Sequence, residues 1–308
     1  MKCVDPKRIQ MSGPIKKRKI EKYVPCGKCA FCVERKRQDW VFRLQNELKV
    51  AKSAFFITLT YEEENLVYYD KGKHYPSTHI VSDFSEATIS KRHAQLFIKK
   101  ARREIQYFLS NEAKLSKVNK WYAQAYKHRQ IYSKWPPLRF YLIGEYGGMF
   151  GRPHYHVLLF NFPNDLVPKL SKIWAKGFVH IGQVTTKSIR YCTEYMLSRI
   201  THNLENEAPF ALMSLGIGKN YRHKKENGLI ARQNGIKFAL PRYYTDKVFN
   251  KWELLYHKTN ARKEQDIVHN QQMSDLTRKT ENPYKAHIEG IEAKRKQLIK
   301  KHTKKSIK

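Results

Sequence analysis

Acidic residues are scarce in this chain of 308 residues, where 27 Asp and Glu face 60 Lys and Arg for a formal net charge of +33. An imbalance of that size opposes compaction unless a polyanion shares the load, and it points to nucleic acid or anionic lipid as the partner. Glycine and proline, at 14 and 12, are too few for a collagen-like or low-complexity chain. No apolar run approaches the roughly 20 residues that cross a bilayer, so no membrane partner is expected. The opening Met1-Lys2-Cys3-Val4-Asp5-Pro6 lacks the apolar stretch of a signal peptide, and an intracellular chain is expected. The 5 cysteines are an odd number and fit a disulfide framework poorly.

What is present argues for a folded protein. Hydrophobic residues at 41% and aromatics at 13% exceed what a disordered chain carries, and the length suffices for a buried core. Trp40, Val41, Leu44, Leu48 and Ala51 recur at helical spacing, and Phe55 to Tyr61 is an aromatic, β-branched strand. The polar, Tyr- and His-rich residues 62–84 suggest a surface excursion. A helix is expected from about Ser90 and a further helical segment to about Trp135, where Pro136-Pro137 ends it. Strands at Arg139–Glu145 and His154–Phe160 enclose a glycine-rich turn and form a hairpin. A short helix at Asp165–Ala175, a strand at Phe178–Val184 and a helix at Ser188–Ile200 follow. This order gives an α+β fold with antiparallel neighbours. A second hairpin is expected to turn at Asn234-Gly235, and a Lys-rich tail runs from about residue 285. Gly216-Ile217-Gly218-Lys219 lacks the full phosphate-loop pattern and is read as a turn.

Three groups of residues carry candidate chemistry. Alternation places His154 and His156 on one face of a strand, and antiparallel pairing of the hairpin would bring Glu145 beside the first of them. Two imidazoles and a carboxylate with open positions suit Mg²⁺ or Mn²⁺ in phosphoryl chemistry, although a His-x-His pair alone also fits a plain polar strand face. Tyr191 and Tyr195 share one helix face, with Ile189, Cys192, Met196 and Ile200 as the packed stripe. A phenol beside a metal-bound phosphate can attack phosphorus, although such a pair also fits packing or base stacking. Cys26, Cys29 and Cys32 are spaced to share one soft metal, with Cys3 able to complete a four-sulfur shell. Zn²⁺, an iron–sulfur site and metal-free thiols all stay open.

Together these elements resemble the HUH endonucleases, the rolling-circle replication initiators with a His-hydrophobic-His motif. They are most similar to the replication initiators of gokushovirus-like microviruses. The resemblance rests on Pro25 to Cys32, Phe56-Ile57-Thr58-Leu59-Thr60-Tyr61, Gly144-Glu145-Tyr146-Gly147, Gly151-Arg152-Pro153-His154-Tyr155-His156, Tyr191-Cys192-Thr193-Glu194-Tyr195 and Pro241-Arg242-Tyr243-Tyr244, in the family's order. It implies a ferredoxin-like HUH core with a central antiparallel sheet. The corresponding division is a basic, cysteine-rich segment and helix at 1–54, a nicking core at 55–205, and a C-terminal extension with a basic tail at 206–308.

The resemblance further implies site-specific nicking of viral replicative-form DNA, a covalent 5′-phosphotyrosine, then strand transfer and circular ligation. By the same match His154, His156 and Glu145 hold Mg²⁺ or Mn²⁺, and Tyr191 and Tyr195 are the nucleophiles. Implied partners are single-stranded and double-stranded origin DNA with host helicase and DNA polymerase, in the bacterial cytoplasm. Relatives carry a lysine three residues after a catalytic tyrosine; here those places hold Glu194 and Ser198. Arg199, one turn beyond Tyr195, could supply the charge, which favours Tyr195 as first nucleophile. A non-catalytic nucleic-acid-binding protein, a relaxase-type enzyme and a hydrolytic nuclease are the alternatives.

Overall fold

The computed structural model describes residues 3–12, 19–70, 73–76, 86–118, 135–147, 151–195, 207–233 and 235–303. In chain order the elements begin with β1 (Lys7–Ser12), β2 (Lys19–Val24), α1 (Ala30–Leu48), β3 (Ala54–Thr60), β4 (Val67–Asp70), β5 (Lys73–Pro76), β6 (Glu86–Thr88) and α2 (Lys91–Val118). They continue with β7 (Arg139–Tyr146), β8 (Pro153–Phe160), α3 (Leu170–Trp174), β9 (Val179–Gln183), α4 (Thr186–Glu194) and β10 (Phe210–Met213). The chain closes on β11 (Ile230–Gln233), β12 (Ile236–Ala239), α5 (Arg242–Val248), α6 (Lys251–Thr277) and α7 (Pro283–Thr303). Two compact units result, one holding Arg43–Asn220 and the other Met1–Phe42 with Tyr221–Lys305.

The first unit is built on a five-stranded antiparallel sheet in the order β10-β7-β8-β3-β9. The mixed α+β class and the central antiparallel sheet expected from the sequence are therefore present. Ile57, Leu59, Tyr155, Val157, Leu159, Phe140 and Leu142 alternate onto one face and pack with Ala94, Phe97, Ile98, Ala101 and Ile105 of α2 and with Ile173 and Trp174 of α3. Gly177 lies where a Cβ would sit 2.4 Å from the Thr60 carbonyl oxygen, so only glycine lets this loop approach the end of β3. The opposite face receives α4, whose first turn is fixed by a capping box between Thr185 and Ser188.

Several local expectations need correction. The excursion at 62–84 includes β4, which pairs with both β5 and β6 in a three-stranded sheet. The helix expected over Asp165–Ala175 is a 3₁₀ turn at Asn164–Lys169 followed by the five residues of α3. Pro168 within that turn has no amide proton to donate, which favours the split. The basic lead-in at 7–22 contains the β1–β2 hairpin, and four-residue β10 was too short to stand out. Gly218 donates its amide to Glu47 Oε2 at 2.7 Å, so a carboxylate sits where a phosphate loop would need an anion.

In the second unit Phe42 packs edge-on against Tyr221, Phe238 and Tyr244, with Ala231, Leu240 and Phe249 completing the cluster. The β11–β12 hairpin brackets Asn234-Gly235 as expected. No side chain of α6 is buried, which is why no apolar stripe announced it. No described helix is long and apolar enough to cross a membrane.

Candidate active site

The site lies on the α4 side of the five-stranded sheet. Register places Glu145 of β7 directly opposite His154 of β8, and Thr58 of β3 directly opposite His156. Because opposed residues project from the same face, four side chains from three strands meet there. Tyr155 and Val157 point the other way into the core, both fully buried. His154 Nε2 lies 2.9 Å and His156 Nε2 3.0 Å from Glu145 Oε1.

The remaining ring nitrogens are accounted for. His154 Nδ1 lies 3.0 Å from the Arg152 carbonyl oxygen, and His156 Nδ1 lies 2.9 Å from Thr58 Oγ1. With each proton on Nδ1, both histidines donate to these oxygens and present the Nε2 lone pair toward Glu145. Three acceptor atoms would then meet at contact distance, an arrangement that requires a proton or a cation between them. Glu145 is 1% exposed, and its Oε2 is buried without a hydrogen-bond partner. A carboxylate oxygen left in that state is suited to a cation. Burial alone would lower the pKa of His154, but the hydrogen bond to Glu145 and its charge, with the Arg152 carbonyl, raise it overall. Glu145, His154 and His156 together could hold a metal ion.

The tyrosines adjoin this set. Tyr191 Oη is 3.4 Å from His156 Nε2, and the Tyr195 hydroxyl donates to Tyr191 Oη at 2.7 Å. Ile189 and Cys192 are buried beneath them, as the helical stripe predicts, whereas Met196 and Ile200 lie outside the described residues. Burial pushes Tyr191 up to about 12, with the Glu145 charge adding to it and the Tyr195 hydrogen bond opposing it. Burial and then the Glu145 charge raise Tyr195 as well. Arg199 also lies outside the described residues.

Three supports were not singled out from the sequence. Thr58 orients His156, and Phe56 stacks on the same imidazole with ring centroids 5.4 Å apart. Tyr155, between the histidines in sequence, accepts the Ser90 amide at 2.6 Å and contacts Tyr61 Oη at 2.7 Å, which anchors β8 from below. Arg152 holds the turn to β3 through the Tyr61 carbonyl at 2.7 Å and pairs with Glu63. The alternation within Phe56-Ile57-Thr58-Leu59-Thr60 was the available signal for Thr58, since it separates hydroxyls from core residues.

The four cysteines form a second cluster. Cys3 and Cys29 sulfurs are 3.8 Å apart and those of Cys26 and Cys32 4.0 Å apart, and all four could hold a metal ion. Backbone amides of Cys29 and Lys28 donate to Cys26 Sγ and lower its pKa to about 6, while burial raises Cys32 to about 12.

Comparison with known proteins agrees with this geometry. Residues 54–199 match the family model described as replication-associated protein ORF2. The chain is a Rep-like protein, related to the replication-associated proteins of phages and acting on DNA. It is 28% identical to replication-associated protein ORF2 of Spiroplasma virus 4 over 75% of this chain and 69% of that one. Replication-associated protein VP4 of Bdellovibrio phage phiMH2K is 24% identical over 72% of this chain and 66% of its own. Replication-associated protein ORF4 of Chlamydia phage 1 is 20% identical over 72% of this chain and 53% of its own. No solved structure matches.

Proposed function

We propose that this chain is a rolling-circle replication initiator that nicks and rejoins viral replicative-form DNA through a covalent 5′-phosphotyrosine. The observation carrying the proposal is the placement of Tyr191 Oη, 3.4 Å from a histidine whose Nε2 is itself 3.0 Å from Glu145 Oε1. His154, His156 and Glu145 would hold Mg²⁺ or Mn²⁺. When bound, that ion supplies positive charge that polarises a scissile phosphate and offsets the field of Glu145.

The residues of the chain do the rest. Tyr191 oxygen attacks phosphorus, the bond from phosphorus to the 3′ oxygen breaks, the phenolic proton departs to solvent and the 3′ oxygen takes up a proton. The phosphodiester energy is kept in the tyrosine ester, so rejoining needs no nucleotide. Tyr195, hydrogen-bonded to Tyr191, is placed to attack the next junction while the first tyrosine still holds DNA. Proximity supports Tyr191 as first nucleophile, the reverse of the order that Arg199 favoured.

This reading includes a ferredoxin-like HUH core at 55–205 between a cysteine-rich segment at 1–54 and an extension at 206–308. It also includes likeness to the initiators of gokushovirus-like microviruses, and action in the bacterial cytoplasm on single- and double-stranded origin DNA with host helicase and polymerase. The test is a labelled single-stranded origin fragment incubated with Mn²⁺ and run on a denaturing gel. Wild type should form a covalent adduct that EDTA prevents. Tyr191→Phe or Tyr195→Phe alone should leave an adduct in at least one case, and the double variant should form none. Undiminished adduct in the double variant would remove α4 as the nucleophile carrier.

A further inference from the structure

The β1–β2 hairpin has little to hold it. Ile9 is 37% exposed and Tyr23 65% exposed, and a two-stranded hairpin without apolar cover is marginal in water. Its base is where the cysteines gather. Cys3 precedes β1, Cys26 follows β2, Cys29 lies just ahead of α1 and Cys32 is in its first turn. The Cys26 amide donates to Cys3 Sγ at 3.2 Å, across the hairpin's two ends. Gly27 between the strand and Cys29 adopts φ +76°, with open space around a would-be Cβ. This backbone turns tightly enough to aim two amides at one sulfur.

The sulfur spacing identifies what fits. Four thiolates around one ion at about 2.3 Å stand about 3.8 Å apart along the edges of a tetrahedron. Here the measured pairs are 3.8 and 4.0 Å, and all four lie within 4.8 Å of one another. These separations are about twice the roughly 2.05 Å of a disulfide, and all four thiols are free. A cluster of several irons would hold the sulfurs further apart than one ion does.

Charge gives the closed hairpin a use. Residues 1–42 carry 12 Lys and Arg against 4 Asp and Glu, more than enough to outweigh the two net negative charges of a zinc tetrathiolate. Lys7, Lys28, Arg35 and Lys36 are exposed on the hairpin, the cysteine turn and the first turns of α1. Arg37 is instead held by buried Glu34 through two contacts of 2.6 Å. Lysines and arginines displayed on a fixed frame contact phosphates and set orientation without reading bases.

We infer that Cys3, Cys26, Cys29 and Cys32 bind one structural Zn²⁺, which fastens the β1–β2 hairpin to the start of α1 and builds a cationic face for the DNA backbone. The inference deepens the metal assignment for these cysteines but stands apart from the nicking reading. It can be measured in the Tyr191→Phe/Tyr195→Phe protein, which forms no adduct under that reading. That full chain should contain one zinc per molecule by elemental analysis. Cobalt added to the metal-free chain should show the visible absorption of a tetrahedral thiolate site.

Cys29→Ser with Cys32→Ser should abolish both signals and weaken binding to a scrambled DNA duplex. Arg35→Gln with Lys36→Gln should keep the zinc yet bind that duplex about tenfold more weakly, with a salt slope shallower by about 0.9 for each phosphate no longer engaged. A chain that carries no zinc, or keeps it after the cysteine substitutions, overturns the metal site. Undiminished duplex affinity in the Arg35/Lys36 variant overturns the DNA face.

Discussion

Thr58→Val separates orientation of the metal ligands from the ligands themselves. Valine keeps the shape of threonine and replaces only the hydroxyl that pairs with His156 Nδ1 at 2.9 Å. Losing that bond should lower fold stability by about 1 kcal/mol, small enough to leave the sheet intact. Its larger effect falls on the imidazole, which then has no partner fixing its tautomer or its ring plane. Removing such an outer partner lowers metal affinity by about 10–100-fold, or about 1.4–2.8 kcal/mol. Free Mn²⁺ measured by electron paramagnetic resonance during titration of the Tyr191→Phe/Tyr195→Phe protein reports affinity without any cleavage. Adduct formation against Mn²⁺ concentration, in protein with both tyrosines, reports the same shift in activity. The midpoint should move by about 10–100-fold and saturating Mn²⁺ should restore the rate. An unchanged midpoint, or a rate that excess Mn²⁺ does not recover, would refute Thr58 as a positioning residue.

Two other outcomes follow from the same structure. Tyr155→Phe strips the acceptor from the Ser90 amide at 2.6 Å and the donor from its carbonyl at 3.0 Å, both buried, and urea denaturation should show a loss of about 2–4 kcal/mol. A loss well under about 1 kcal/mol would show that β8 is not anchored this way. Lys225 and the Asn250 amide hold Glu253 below the usual carboxylate range, so its folded pKa lies under its unfolded one. Its contribution is complete above about pH 4.3 and lost as pH falls through the folded value. Amide exchange in the first turn of α6 should therefore quicken on acidification, and Glu253→Gln should exchange fast at neutral pH with little further change.

The legible parts of this protein were those in which a local period matches a structural one. Alternation in Arg139–Phe160 gave a hairpin, and that hairpin's antiparallel register set Glu145 opposite His154. Helical spacing placed Tyr191 and Tyr195 on one face, where their hydroxyls meet. The β1–β2 hairpin, short β10 and long α6 were not legible, because the signal in each case is pairing or length rather than an apolar stripe. Charged surface elements such as α6 carry little pattern for a sequence to show.

Sequence by itself determined the chemical inventory: a basic chain, two histidines with a nearby carboxylate, a tyrosine pair and a cysteine cluster. It also determined the α+β class, since alternating and helical periods follow one another along the chain. Only the tertiary structure decided which of these residues meet. Cys3 reaches Cys29 across the two-stranded hairpin, Thr58 reaches His156 across 98 positions, and Tyr191 reaches it from the helix laid over the sheet. Such meetings depend on strand register and on the side of the sheet a helix covers, and both are settled by burial of a shared core that no short stretch of sequence contains.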